Sequence, residues 1–242
     1  MIHISDLIYT TVCVSITQYK KSVDTTGFII KTNINNEDKY LLFTCAHYYD
    51  DYYKLKMTFR FPQKIGVEGQ FDTVHIYEDP IIDKTYDIAI TDITKNLSIS
   101  KNESELSFHF IELSDIVANQ ERNSLSDIED VYLVGYRFRV DPRPVILKGN
   151  TATLIKDVYN NGALVYLNTE EAEIGSPIYI RINDRFKLLG FLKEPKTESH
   201  TIDLDGLRKT YEINTGLIQS VYAYHLIDFI KEQYNFTDFT NK

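Results

Sequence analysis

The feature that most restricts the fold of this chain is an alternation of apolar and polar residues with period two. In residues 8–17, Ile8, Val12, Val14 and Ile16 fall on one face, and Tyr9, Thr11, Cys13 and Ser15 fall on the other. Successive side chains of an extended backbone point to opposite sides, so this is the pattern of a half-buried strand. It returns at 27–32, 40–45, 55–61, 71–77, 87–91 and 108–113. Turn clusters separate the runs: NINNEDK at 33–39 reads as a hairpin tip, and Pro62 and Pro80 mark strand ends. Across 114–129 the alternation fades while charge, Asn and Ser rise, which predicts a connector with a short helical turn opened by Ser114 or Asp115. Strands resume at 130–136, 145–157, 163–168, 176–182, 186–192 and 212–221. Near the end the period changes. Tyr222, Leu226, Phe229 and Ile230 recur at helical spacing, which predicts a terminal amphipathic helix.

About twelve strands in two runs, a connector and one helix predict an all-β chain. The expected form is two six-stranded antiparallel β-barrels side by side with a C-terminal α-helix. The expected lobes are 1–113 and 130–242, joined by the connector 114–129. A chain of 242 residues that is 43% hydrophobic can bury such a core. Its net charge of −9 and lack of a dense Lys/Arg run argue against a nucleic-acid partner. No window approaches the length of an apolar membrane span, so no membrane association is expected. The N-terminal stretch lacks a basic region followed by an apolar one and does not read as a secretory signal. Cys13 and Cys45 lie inside apolar runs and read as buried free thiols. A reducing, cytoplasmic setting is therefore expected.

Three short stretches carry the candidate chemistry. The first is TCAH at 44–47, where His47 follows a buried strand and is placed to project into a cleft. The second is YDIAI at 86–90, where Asp87 opens an apolar run. A buried carboxylate needs a hydrogen-bonding partner, and a histidine N–H is one. The third is EAEIGSPIYI at 171–180. None of the six histidines (His3, His47, His75, His109, His200, His225) shows a zinc-binding spacing, and no glycine-rich phosphate loop is present. No metal or cofactor is expected.

Taken together, these stretches resemble the trypsin/chymotrypsin family of serine proteases, over roughly residues 8–235. TCAH resembles the family's T-A-A-H, Asp87-Ile88-Ala89 its D-I-A, and EAEIGSPIYI its G-x-S-G-[GS]-P loop. VYLVGY at 131–136, with Pro144 and Lys148-Gly149, resembles the opening of the second barrel, and TGLIQSVYAYHLIDFI its last strand and helix. The resemblance implies paired barrels with a cleft between them, a His/Asp/Ser triad in that chain order, and peptide hydrolysis.

Carried over residue by residue, His47 matches the general base and Asp87 the residue that orients it. The nucleophile position falls on Ile174, which has no lone pair and no transferable proton. The oxyanion loop maps to Ala172, Glu173, Ile174 and Gly175. Ala172 stands where the family has glycine, and Glu173 adds negative charge where an oxyanion would be stabilised. Ser176 lies two residues on, about 6–7 Å along an extended chain, so His47 cannot serve both positions. The expectation is a protease fold without protease chemistry, acting as a peptide- or protein-binding, scaffold or regulatory module. The alternative is an active cytoplasmic serine endopeptidase using Ser176 or a shifted loop register. The tyrosines of YYDDYY, 48–53, read as a packed helical turn or as aromatics lining the cleft.

Overall fold

A computed structural model describes residues 3–18, 21–49, 56–61, 73–76, 78–100, 108–126, 128–137, 141–153, 164–166, 174–204 and 207–235. Ala172 and Glu173 lie outside them, as do positions 50–53 of the tyrosine cluster and the strand residues expected at 55, 71–72, 77, 154–157, 163 and 167–168.

The chain is built from fourteen strands among the described residues. In the first half these are β1 (Thr11–Gln18), β2 (Lys21–Ile34), β3 (Glu37–Cys45), β4 (Lys56–Arg60), β5 (Thr73–Ile76), β6 (Ile81–Asp83), β7 (Ile88–Asp92) and β8 (Ile111–Glu112). They form one curled sheet in the order β5-β4-β1-β2-β3-β7-β6, with β8 joining β2 in parallel. The second half contributes β9 (Asp130–Arg137), β10 (Asp141–Thr153), β11 (Leu164–Tyr166), β12 (Pro177–Ile182), β13 (Arg185–Leu204) and β14 (Leu207–Tyr222). These close into a six-stranded antiparallel barrel, β10-β11-β14-β13-β12-β9. Helix α1 (Thr94–Ser100) follows β7, α2 (Asn119–Asn123) lies between the sheets, and α3 (Tyr224–Tyr234) follows β14.

Two hairpin tips set the register of the strands around them. Asn35-Asn36 joins β2 to β3 and Asn183-Asp184 joins β12 to β13, all four residues at positive φ. Two consecutive left-handed residues make a turn whose twist matches that of the flanking strands, and Asn and Asp tolerate that conformation. Ile34 therefore pairs with Glu37, and Ile182 with Arg185.

Each sheet has a core of its own, and a third core joins them. Val14, Ile29, Leu42 and Phe59 fill the first sheet. Val131, Leu133, Ile178 and Leu192 fill the barrel. Between the sheets, Phe28, Ile30, Phe43 and Ile90 meet Val134, Leu188, Phe191 and Val221. Strands β2 and β3 thus bury both faces, one toward their own core and one toward the barrel. That is why 40–45 is buried throughout rather than at alternate positions. Leu226, Phe229 and Ile230 of α3 seat on the shared core, and Asn235 ends the helix at φ 49. No helix among the described residues is long and apolar enough to cross a membrane.

Local hydrogen bonding moves several boundaries. Residues 4–10 form a 3-10 helix before β1, because Thr10 and Thr11 turn their hydroxyls back onto the carbonyls of Leu7 and Ile8. Ser114 and Asp115 do not open α2; they lie in a 3-10 turn of their own. The chain is pinned to the barrel first, by Val117 N–H to the Leu188 carbonyl, and the helix begins only after Ala118. In the second half, β13 and β14 run on as a two-stranded ribbon through 196–213, where no strand was expected between 192 and 212.

Candidate active site

The cleft is assembled from one turn on each sheet. On the first sheet, β3 pairs with β7 so that Cys45 faces Ile88. The two strand ends therefore lie side by side, with His47 on a 3-10 turn after β3 and Asp87 just before β7. Asp87 was expected to open the strand; it sits instead in the preceding turn at φ 58, a conformation Asp reaches more readily than most residues. That turn aims the carboxylate back at His47. One oxygen accepts the His47 backbone N–H at 2.7 Å and the other lies 2.7 Å from ring Nδ1. The Asp87 carbonyl accepts the Ala46 N–H at 3.1 Å. Asp87 is only 6% exposed, whereas the His47 side chain is 41% exposed. The carboxylate thus fixes the ring from the buried side and leaves its other edge to the cleft. These are the orientation and access a general base needs.

The second turn carries Ile174, Gly175 and Ser176. Its backbone docks the two sheets together. The Ile174 carbonyl accepts from the Thr26 N–H at 3.3 Å and the Thr25 hydroxyl at 2.8 Å, both on β2. Gly175 N–H donates to the Leu192 carbonyl, and Leu192 N–H to the Ser176 carbonyl, each at 2.9 Å. Gly175 has φ 85, and a Cβ there would collide with the Thr26 carbonyl oxygen, so both conformation and space require glycine. The Ile174 side chain is partly buried and packs against both the shared core and the barrel core. Ser176 is fully buried, its hydroxyl lying over Gly135 in the space a side chain there would take.

Two features of this site had not been singled out from the sequence. Cys45 was assigned only a buried free thiol, and among the described cysteines both are free and buried. The fold also brings it against the opposite lobe, where its Sγ lies 3.4 Å from the Leu192 carbonyl. Burial, and secondarily the Asp87 carboxylate, push its pKa well above the ordinary 9.0, so the thiol stays protonated. The β3–β7 pairing was the available signal, since it sets 45 beside 88. His225 is the other feature. It is buried at the start of α3, with its ring stacked on Tyr86 at 4.1 Å and 20°. Tyr86 is the neighbour of Asp87, so this stack braces the carboxylate-bearing turn against the barrel lobe. Tyr48 of the tyrosine cluster packs on the His47 ring at 4.2 Å.

A His–Asp pair of this geometry can accept and pass a proton. No protein-family model matches the sequence, and no curated protein matches it. Solved structures do match. A thermostable serine protease from an extremophilic microorganism superposes with a TM-score of 0.60 at 11% identity, covering 98% of this chain and all of the other. Kallikrein-related peptidase 10 gives 0.57 at 9% identity, over 95% of this chain and 97% of that one. The tobacco etch virus protease gives 0.52 at 8% identity, over 93% and 79%. At such low identity the likeness speaks for architecture. The chain has the fold of the trypsin-like serine proteases, two β-lobes with a cleft between them.

Proposed function

We propose that this chain uses a protease-type cleft for binding rather than for cutting, as a peptide- or protein-binding, scaffold or regulatory module in a reducing, cytoplasmic setting. The observation that carries the reading is Ile174. By the resemblance it matches the nucleophile position of a triad whose other two members match His47 and Asp87, and its backbone carbonyl is held by Thr25 and Thr26. Acyl transfer needs an atom that can attack and then leave, and an isoleucine side chain offers none. Ser176, the alternative nucleophile, is fully buried with its hydroxyl over Gly135, which disfavours attack from there. An exposed imidazole with a tyrosine ring packed on it offers contacts suited to an extended peptide or a docked protein loop. The chain's net charge of −9 favours such a partner over nucleic acid.

The test separates binding from cleavage. Peptides selected from a displayed library on the folded chain are returned to it in solution and followed by mass spectrometry. The expected result is saturable binding, weakened by Ile174→Arg, with the peptides recovered intact. Cleavage that disappears in Ser176→Ala and in His47→Ala establishes the active endopeptidase instead. A chain that selects no peptide but elutes in a larger complex from its host acts as a regulatory subunit.

A further inference from the structure

We propose that Cys45, His47 and Asp87 form a binding site for one thiophilic divalent metal ion, of the kind Zn²⁺ exemplifies, at the floor of the cleft. The donor atoms of these three side chains lie within 4.8 Å of one another. They come from two separated segments, the end of β3 with its following turn and the turn before β7. Cys45 and His47 alone have no zinc-motif spacing, so the third ligand becomes visible only once the strands are paired.

The donor set suits the ion. A thiolate, an imidazole and a carboxylate are the three ligand types that zinc takes, at about 2.3, 2.0–2.1 and 2.0–2.2 Å. In a tetrahedron those lengths place the donors roughly 3.4–3.6 Å apart. From the observed limit the widest pair closes by about 1 Å, while His47 Nδ1 and Asp87 Oδ2, now 2.7 Å apart, open by about 0.7 Å, which is within side-chain adjustment. Cys45 and Asp87 are buried while His47 is exposed on one side, so entry and a fourth, solvent-derived ligand come from the His47 side. Three protein ligands with one open position is the arrangement of reactive rather than closed zinc sites.

Charge favours occupancy. The ion takes a thiolate rather than a thiol. With it, thiolate, carboxylate and dication sum to zero in a buried place. The exchange balances as one thiol proton released to solvent for each ion bound, and the His47 nitrogen gives up its contact with Asp87 to the metal. The His47 backbone N–H holds the other Asp87 oxygen, so the carboxylate is supported from behind. Such a site gives the His47–Asp87 pair a role that needs no nucleophile. It does not rest on the peptide-binding reading, and its readouts are independent of whether the chain cuts.

The experiment titrates Co²⁺ into the reduced, chelator-treated full chain and follows the near-ultraviolet thiolate-to-cobalt charge-transfer band. The expected result is a band saturating at one equivalent, lost in Cys45→Ala and in His47→Ala and unchanged in Cys13→Ala. Cys13 is the other buried thiol and accepts a hydrogen bond from the Arg60 guanidinium. Zn²⁺ is expected to raise the unfolding temperature of the native chain and of Cys13→Ala only. Cooperative unfolding without metal qualifies each variant before titration, and His47→Ala carries the test alone if Cys45→Ala does not fold. No band in the folded native chain overturns the proposal, and so does a band that survives in His47→Ala or disappears in Cys13→Ala.

Discussion

The two walls of the cleft hold their functional turns by different means. On the first-lobe wall, the side chain of Asp87 does the holding: its two oxygens bind the backbone and the ring of His47. On the barrel wall, the backbone does it: the Ile174 carbonyl and the Gly175 amide bridge to β2 and β13. Identity at Asp87 is therefore tied to the geometry of the turn. At 174 it is not, because any residue brings the same carbonyl. The side chain at 174 can therefore vary with the lobes docked as they are, while a change at Asp87 disturbs both pairing and fold.

That contrast sets the order of expected effects. Gly175→Ala strikes the backbone frame itself, through both a disallowed φ and a collision with the Thr26 carbonyl. We expect a loss of about 3 kcal/mol, read as a fall in the urea midpoint. A variant as stable as the native chain would break the claim that this turn docks the lobes. Asp87→Ala should cost about 2 kcal/mol by orphaning two donors and placing Ala at positive φ. Asp87→Asn, which retains acceptor and turn preference, should cost less.

Ile174→Ser should cost about 1 kcal/mol from lost apolar contact and leave the turn unchanged, as seen by amide shifts of Gly175 and Thr26. Large movement of those amides would place the frame in the side chain after all. The Cys45 thiol adds a pH signature. Its folded pKa is raised, so its contribution is complete below the ordinary value of 9.0 and is lost as pH climbs from there toward the folded value. Cys45→Ala should flatten that alkaline decline in a stability-against-pH series. The smallest effect belongs to the connector, where Glu121 meets Lys187 at 2.6 Å. Burial opposes ionisation there, yet the Lys187 bond, the Ala118 N–H and the Lys187 charge hold the Glu121 pKa below the ordinary 4.5. The pair's stabilisation is present above 4.5 and lost as pH falls through the lowered value. At this half-exposed site Glu121→Gln should cost only about 0.5 kcal/mol near neutrality.

Much of this architecture was legible in the alternation of apolar residues, because a strand with one wet face encodes its own direction. The C-terminal helix was legible for the same reason, from the spacing of Leu226, Phe229 and Ile230. The ribbon of β13 and β14 beyond 196 was not, since both of its faces meet solvent and no alternation is selected. His47 and Asp87 were found as motifs, but the left-handed turn that aims Asp87 was read as strand, because Asp87 adjoins an apolar run. Cys45 at the cleft and the His225–Tyr86 stack depend on which strands and helices meet. That information lies in register and packing between distant segments rather than in any window of the chain. Ile174 was legible as a residue, and its docking role only as a carbonyl.

The proposal that the His47–Asp87 pair works here without a serine nucleophile makes a direct chemical prediction. Treating the folded native chain with a fluorophosphonate, alongside an active serine protease as control, tests it most directly. No covalent adduct is expected on this chain by intact-mass spectrometry under conditions that fully label the control. A stoichiometric adduct on the native chain, mapped to Ser176 and lost in His47→Ala, would contradict it.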